Sequence, residues 1–370
     1  MQINVLVTGA TGAVGPALVK LLLKKYNVRV LLHKKSIKGI LPDEVEVVKG
    51  DINNMEVLNK AVKNVAFVFH LAGMLHINNP DFSLGEKYFR VNVDGTKNVV
   101  EASRLMGVKR VIIFSTISVY GNSYDFSDDN FSGYNFSGSN FIGKRGYVHG
   151  IHTKVFDETT PVNFKDNFQN KNLYAQTKYK AEQAVEHVCN SDGKPLVTIL
   201  RLASVYGSCM KGNYPKLLKA VTKGWFVFVG SGKNRRTMVC DKDVARAALL
   251  VASHPKACGE VYNITDNCIY TFDDILNAVY KVFHRPVLKI YLSESFIRRV
   301  IKLASDITSY AGIKLSVKVS MVDKLVEDVA VCGDKIFDKL GFRPKYNIIN
   351  GWLEPEYRKR QRKSRFFIKN

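Results

Sequence analysis

Acidic residues are scarce in this chain. Thirty-three Asp and Glu stand against 55 Lys and Arg, a net charge of +22 over 370 residues. Such a field favours anionic ligands, nucleic acid or anionic lipid, and carries no information on fold. Long apolar runs are missing as well: none reaches about 18 residues without a charge, which argues against a spanning helix. Cysteines lack metal-like pairing. The six of them, at 189, 209, 240, 258, 268 and 332, read as reduced thiols of a cytoplasmic protein, and no metal site is expected. Met1-Gln2 leads straight into an apolar run, leaving no room for a signal peptide.

What is present begins with Val5-Leu6-Val7-Thr8-Gly9-Ala10-Thr11-Gly12-Ala13-Val14-Gly15. Ile3, Val5, Leu6 and Val7 read as a buried parallel strand. Val14, Leu18, Leu21 and Leu22 then recur at helical spacing, with Lys20, Lys24 and Lys25 on another face. Glycines at 9, 12 and 15 allow a tight turn, close approach of backbone to a pyrophosphate, and close helix–strand packing. The helix start adds N–H groups and a positive dipole end. Strand, glycine turn and helix together point to nucleotide binding.

Val28-Arg29-Val30-Leu31-Leu32 is a second strand and ends in His33-Lys34-Lys35. A carboxylate there would accept hydrogen bonds from the ribose of NAD, whereas basic groups accommodate the extra phosphate of NADP. His33 and Lys34 therefore favour NADP over NAD. Val45-Glu46-Val47-Val48 ends at Gly50-Asp51, an acid placed for an adenine amino group. Val65–Phe69 runs into His70-Leu71-Ala72-Gly73, small residues beside the expected nicotinamide ribose. A helix is read over 88–100, and Val111–Phe114 is a fifth strand ending in Ser115-Thr116-Ile117-Ser118-Val119-Tyr120-Gly121. Strands alternating with helices imply a doubly wound α/β parallel sheet, with ligands at the carboxyl ends of its strands.

Residues 122–150 interrupt that pattern. Phe126, Phe131, Phe136 and Phe141 repeat every five residues. One such coil has no neighbour to bury its Phe ladder, so a lid or partner surface beside the site is the better reading. Chemistry resumes at Tyr174-Ala175-Gln176-Thr177-Lys178. Four residues apart on a helix, Tyr174 and Lys178 share a face. An ammonium beside a phenol lowers the phenol pKa from about 10 toward working pH, fitting Tyr174 for acid/base work on a hydroxyl/carbonyl pair. Further on lie a strand at Val197–Leu202, β-like Phe226–Val229, a strand at 259–264 and a capped helix from Thr271 to Val282. Ile297, Val300, Ile301, Ala304, Ile307 and Ala311 form a stripe expected to face the core rather than a membrane surface.

Taken together, Thr8–Gly15, Thr116 and Tyr174…Lys178 resemble the extended short-chain dehydrogenase/reductases, the NAD-dependent epimerase/dehydratase family. The likeness covers about residues 3–353. It extends to Gly50-Asp51, His70–Gly73, Val91–Thr96, Ser118–Gly121, Arg201–Gly207, Arg236 with Asp243, and Leu340–Pro344. Leu202, where the family usually has proline, and Asp241, where a strand residue is usually apolar, depart from the pattern.

The resemblance implies a Rossmann-like sheet with a smaller C-terminal α/β substrate domain. On that basis 1–207 with 236–264 form the dinucleotide domain, 208–235 with 265–353 the substrate domain, and 354–370 a basic tail. It implies Tyr174 as acid/base, Lys178 on the nicotinamide ribose, Thr116 on the reacting oxygen and Arg236 on a substrate diphosphate. Cofactor contacts are expected from Gly9, Thr11, Gly12, Ala13, Val14, Gly15, His33, Lys34, Asp51, Ile52, Leu71, Ala72, Gly73, Asn92, Ser115, Tyr174, Lys178, Leu202 and Ser204.

The function expected is hydride transfer at a secondary alcohol or ketone of a nucleotide- or polyprenyl-diphosphate-linked sugar, as in 4-epimerases and 4-keto reductases. A reductase or 3β-hydroxysteroid-dehydrogenase-like enzyme on a non-sugar carbonyl is the second reading, and a non-catalytic dinucleotide sensor the third. A homodimer is implied by the family. Arg358–Lys369, with seven positive charges and no acid, suggests contact with an anionic membrane surface. No nucleic-acid module is recognisable, so nucleic acid is not an expected partner.

Overall fold

Seven parallel strands carry the fold. The computed structural model describes residues 3–34, 36–75, 84–121, 155–162, 172–210, 214–222, 226–284, 290–310 and 319–353. The 122–150 insert and the 354–370 tail lie outside the described residues, as does Lys35. The strands are β1 (Asn4–Thr8), β2 (Asn27–Leu32), β3 (Glu46–Lys49), β4 (Phe67–His70), β5 (Arg110–Thr116), β6 (Val197–Leu202), β7 (Ser204–Tyr206), β8 (Phe228–Val229), β9 (Arg235–Cys240), β10 (Val261–Ile264), β11 (Ile269–Thr271) and β12 (Tyr291–Leu292). The large sheet runs β10-β6-β5-β4-β1-β2-β3, and every pairing in it is parallel. The chain leaves β1 toward β2 and β3, then returns across β1 to β4. That reversal opens a crevice at the carboxyl ends of β1 and β4, where α/β sheets bind ligands.

The helices are α1 (Gly15–Leu22), α2 (Met55–Val62), α3 (Leu84–Tyr88), α4 (Gly95–Leu105), α5 (Leu173–Val185), α6 (Tyr214–Thr222), α7 (Asp241–Ser253), α8 (Phe272–Val282), α9 (Glu294–Tyr310), α10 (Val319–Val326), α11 (Asp334–Leu340) and α12 (Ile348–Leu353). Strand side chains alternate between faces. Val5, Val7 and Ile112 meet Leu18 and Leu22 of α1 and Val244, Ala248 and Val251 of α7. On the opposite face Leu6, Val111 and Ile113 meet Leu58 of α2, Val99 of α4 and Val185 of α5. Burial on both faces is why β1 and β5 read as continuous apolar runs. A third cluster gathers Tyr206, Phe228, Met238, Phe272, Leu276 and Trp352.

Three elements differ from the sequence reading, and β9 stands outside the large sheet. The helix expected over 88–100 is broken by a π-helical stretch, Phe89–Asp94, between α3 and α4. Of 236–264, β10 joins the large sheet, whereas β9 pairs with β7 and β11 in a separate three-stranded sheet. The chain bends out of the large sheet after Ala203 and takes β9 with it. Asp241, expected at a strand edge, is the first residue of α7 and is buried. The α9 stripe does not face the core: Val300 and Ile307 are exposed, Ile297, Ile301 and Ala304 are half-buried, and Ala311 lies outside the described residues. Apolar positions on α9 occupy more of its circumference than one packing face can cover. No helix among the described residues is long and apolar enough to cross a membrane.

Candidate active site

The glycine turn forms for steric reasons. Gly9 has φ +69°, and a Cβ there would sit 2.5 Å from the Ala72 nitrogen. A Cβ on Gly15 would sit 2.0 Å from the Ala10 carbonyl oxygen. Gly12 N–H donates to the Gly9 carbonyl at 2.8 Å and closes the turn. Thr11, Gly12 and Ala13 are half-buried along it, and Val14 sinks into the core. Pro16 lies in the first turn of α1, and no side chain caps that helix start. A cradle with backbone this close and a helix end without a side-chain cap fits the pyrophosphate of a dinucleotide.

At the adenosine end, Gly50 N–H bonds the Leu32 carbonyl at 2.9 Å and aligns the tips of β2 and β3. This places Asp51 Oδ2 3.5 Å from His33 Nε2. The sequence shows no acid next to His33, but the fold supplies one from the neighbouring strand. Burial works to raise the Asp51 pKa, yet bonds from Asn53, with His33 and Arg90 nearby, hold it below the usual carboxylate range. Asp51 Oδ1 accepts from Asn53 N at 3.0 Å and Nδ2 at 3.1 Å. Lys34 is exposed. Ile52 is buried, and a Cβ on Gly95 would lie 2.4 Å from its Cδ1.

At the other end, His70 is fully buried between Thr8 Oγ1 (2.8 Å) and Thr96 Oγ1 (3.0 Å). Burial and the Lys178 charge push its pKa down to about 3, so the imidazole is neutral. Leu71 N–H donates to the Thr8 carbonyl and Ala72 N–H to Thr8 Oγ1, fixing the backbone that enters Gly73. Asn92 stands in the π-helical stretch. Its Oδ1 accepts from Met74 N at 2.7 Å and its Nδ2 donates to Thr177 Oγ1 at 3.0 Å. The Asn92 side chain therefore ties the β4 exit to α5.

Asn172 caps α5 by accepting from Ala175 N–H at 3.2 Å. Along that helix Tyr174, Lys178 and Glu182 follow at intervals of four, on one face. The Tyr174 phenol and the Thr116 hydroxyl approach each other across the gap between α5 and β5, near enough for Thr116 to act on the phenol. Thr116 Oγ1 also accepts from Ser118 N–H at 3.2 Å and lies 3.1 Å from Ser118 Oγ. The expected lowering of the phenol by Lys178 is not what this site does. Burial pushes the Tyr174 phenol up to about 12, and the nearby Thr116 hydroxyl is what opposes it. Lys178 is itself pushed down to about 8 by burial, against the charge of Glu182. Desolvation dominates both groups, and the groups acting on the phenol are Thr116 and Tyr88 rather than Lys178.

Glu182 is the residue the sequence reading missed. Its Oε2 accepts from Arg201 Nε and Nη2 at 3.0 and 2.7 Å, and its Oε1 accepts from Ser115 Oγ. Arg201 Nη1 reaches the Tyr120 hydroxyl at 2.9 Å, and that hydroxyl donates to Asn263 Oδ1. The signal was available, since Glu182 lies one further helical step beyond Lys178. Leu202 pairs with Thr116 on one side and Ile264 on the other, and half-buried Ser204 opens β7. Arg236 is buried on β9, its Nη1 3.4 Å from Glu327 Oε2, beside the tighter Arg235–Asp328 pair at 2.6 Å. Among the described residues no cluster of His, Cys, Asp and Glu could hold a metal ion, and all six cysteines are free thiols.

Residues 5–265 match a family of known enzymes over well above half of the chain. The chain belongs to the NAD dependent epimerase/dehydratase family. This epimerase/dehydratase chain is 26% identical over 293 residues to an N-acetyl-alpha-D-glucosaminyl-diphospho-ditrans,octacis-undecaprenol 4-epimerase of Escherichia coli O157:H7, covering 79% of this chain and 76% of that protein. It is 30% identical over 273 residues to a 3 beta-hydroxysteroid dehydrogenase/Delta 5-->4-isomerase of Mycobacterium tuberculosis, covering 71% and 65%. Its fold is shared with a UDP-glucuronic acid 4-epimerase from Bacillus cereus solved with UDP-glucuronic acid and NAD. That likeness has a TM-score of 0.69 at 20% identity and covers 97% of this chain and 99% of the other.

Proposed function

We propose that this enzyme transfers hydride at a secondary alcohol or ketone of a diphosphate-linked sugar, as a 4-epimerase or 4-keto reductase. The approach of the Tyr174 phenol on α5 to the Thr116 hydroxyl at the carboxyl end of β5 carries the reading. With its pKa near 12 the phenol holds its proton at neutral pH, which suits it to protonate an oxygen that gains charge. Thr116, anchored through Ser118, orients the same oxygen. Lys178, with a pKa near 8, remains mostly protonated at neutral pH and offers its ammonium to a ribose hydroxyl. The glycine turn fits the cofactor pyrophosphate, and the bound nicotinamide supplies the hydride donor or acceptor.

Exposed His33 and Lys34 support NADP over NAD, because the neighbouring Asp51 is already engaged by Asn53 and His33. Arg236 is our candidate for the substrate diphosphate, with Glu327 as the group it would exchange for phosphate. The undecaprenol-diphosphate relative supports a lipid-linked sugar, and the steroid relative supports a non-sugar carbonyl as the second reading. A cytoplasmic homodimer whose basic tail meets anionic lipid completes the proposal.

The deciding experiment identifies the nucleotide that copurifies and tests its exchange. Tightly held NAD with interconversion of a 4-hydroxyl epimer pair supports the epimerase. Freely exchanging NADPH consumed by a keto substrate supports the reductase. An enzyme turning over neither sugar class but oxidising a sterol or other apolar alcohol overturns the sugar assignment.

A further inference from the structure

We propose that the outward stripe of α9 inserts into an anionic lipid bilayer. Phe296, Val300, Leu303 and Ile307 follow at intervals of four, three and four, the spacing of one helical face. They are 53%, 44%, 62% and 69% exposed. The packing side of α9 is elsewhere: Ile297, Ile301, Ala304 and Thr308 are half-buried, and Arg298 pairs with Glu294 on α9 and Asp323 on α10. The exposed stripe is thus a second apolar face, separate from the one that docks the helix.

Its border decides the occupant. Exposed Arg299 borders one edge, and exposed Asp306 and then Lys302 lie farther round the helix on the same side. An apolar face whose exposed flank carries two cations and one acid, on a chain of strong positive charge, suits a helix lying in a membrane interface, apolar side among the acyl chains and cations at lipid phosphates. The chain carries +22 overall, and its last residues add seven basic groups without an acid. Stripe-to-stripe contact between two copies would bring Arg299 toward its own image, and this face is therefore not assigned to a second copy. Anionic lipid meets both the charge and the apolar surface. This inference rests on the reading of the basic tail as an electrostatic contact and adds the apolar contact that electrostatics alone does not provide.

The test measures cosedimentation of the full chain with vesicles of phosphatidylcholine containing about 30% phosphatidylglycerol, and with phosphatidylcholine alone. The double variant Leu303→Glu with Ile307→Glu, on the exposed face, is expected to keep the wild-type circular dichroism and unfolding midpoint. Its partitioning onto the anionic vesicles falls about tenfold or more. In Phe296→Trp, the added fluorescence shifts to the blue on binding. A tail variant, Arg358→Gln, Arg360→Gln, Arg362→Gln and Arg365→Gln, weakens binding but keeps that blue shift at saturating lipid. If the stripe variant binds like wild type while the tail variant does not, the stripe proposal fails and the tail reading stands. A lipid-free dimer that the stripe variant converts to monomer, with vesicle binding intact, assigns the face to a second copy and overturns the proposal.

Discussion

Arg201 on β6 and Glu182 on α5 form a buried ion pair, with Nη2 2.7 Å from Oε2. Ser115 and Tyr120 complete its bonding, and the helix it pins to the sheet also bears Tyr174 and Lys178. Removing one partner strands a charge in the interior, which costs about 3–5 kcal/mol. Glu182→Ala is therefore expected to lose about that much stability in urea denaturation. The pair Glu182→Leu with Arg201→Met is expected to lose less than the single change, because no charge is left unpaired. Strict additivity of the two single losses would show that they do not act as a pair.

Tyr174→Phe keeps the ring and its packing and removes one hydroxyl. Turnover is expected to fall about 100-fold or more, while cofactor affinity measured by fluorescence titration stays near wild type. Thr116→Val is expected to lower kcat in the same direction through lost orientation of the substrate oxygen. Wild-type turnover in Tyr174→Phe removes the phenol from the mechanism.

The sheet was legible because β1, β5 and β6 are buried on both faces and so stay apolar through several residues, and because each of the first four ends in a residue pattern set by the crevice. That Tyr174 and Lys178 share one face of α5 was legible in their spacing, while their roles came from the resemblance of the surrounding motifs. Electrostatic balance was not. Whether Lys178 lowers the phenol or burial raises it depends on desolvation, which spacing does not encode. The His33–Asp51 contact joins the tips of two strands, and no local pattern marks it. For α9, periodicity found an apolar stripe, but a helix apolar on two sides leaves open which side packs.

Two buried carboxyls give the fold a pH signature. Burial pushes Asp241 up to about 6 and Asp266 up to about 7. With folded pKa values above the unfolded value of about 3.9, their contribution is full below pH 4 and is lost as pH rises through 6–7. Neutral His70, with its pKa lowered to about 3, acts in the opposite sense below about pH 6.5. Comparison with Asp241→Asn plus Asp266→Asn cancels the His70 effect, common to both proteins. The variant is expected to gain stability relative to wild type between pH 4 and pH 8, as about 2–5 °C or more in unfolding midpoint. A pH-independent difference would mean these carboxyls titrate normally.

The three glycines of the first turn separate fold from cofactor. Gly9→Ala meets both a positive φ and the Ala72 backbone at 2.5 Å, and Gly15→Ala meets the Ala10 carbonyl at 2.0 Å. Neither neighbour can swing aside, since both are main chain. Each change is expected to cost about 2 kcal/mol or more and to lower the unfolding midpoint. In Gly12→Ala the nearest atom, the Gly9 carbonyl oxygen, is 3.0 Å away, and Gly12 has no positive φ. That variant is expected to fold with a far smaller loss. A methyl group at the mouth of the turn would still hold a pyrophosphate off the α1 helix start, so dinucleotide affinity is expected to drop about tenfold or more. Calorimetric titration beside thermal unfolding resolves the two effects. Equal loss of stability in all three variants would make the turn purely structural, and unchanged affinity in Gly12→Ala would move the cofactor phosphates elsewhere.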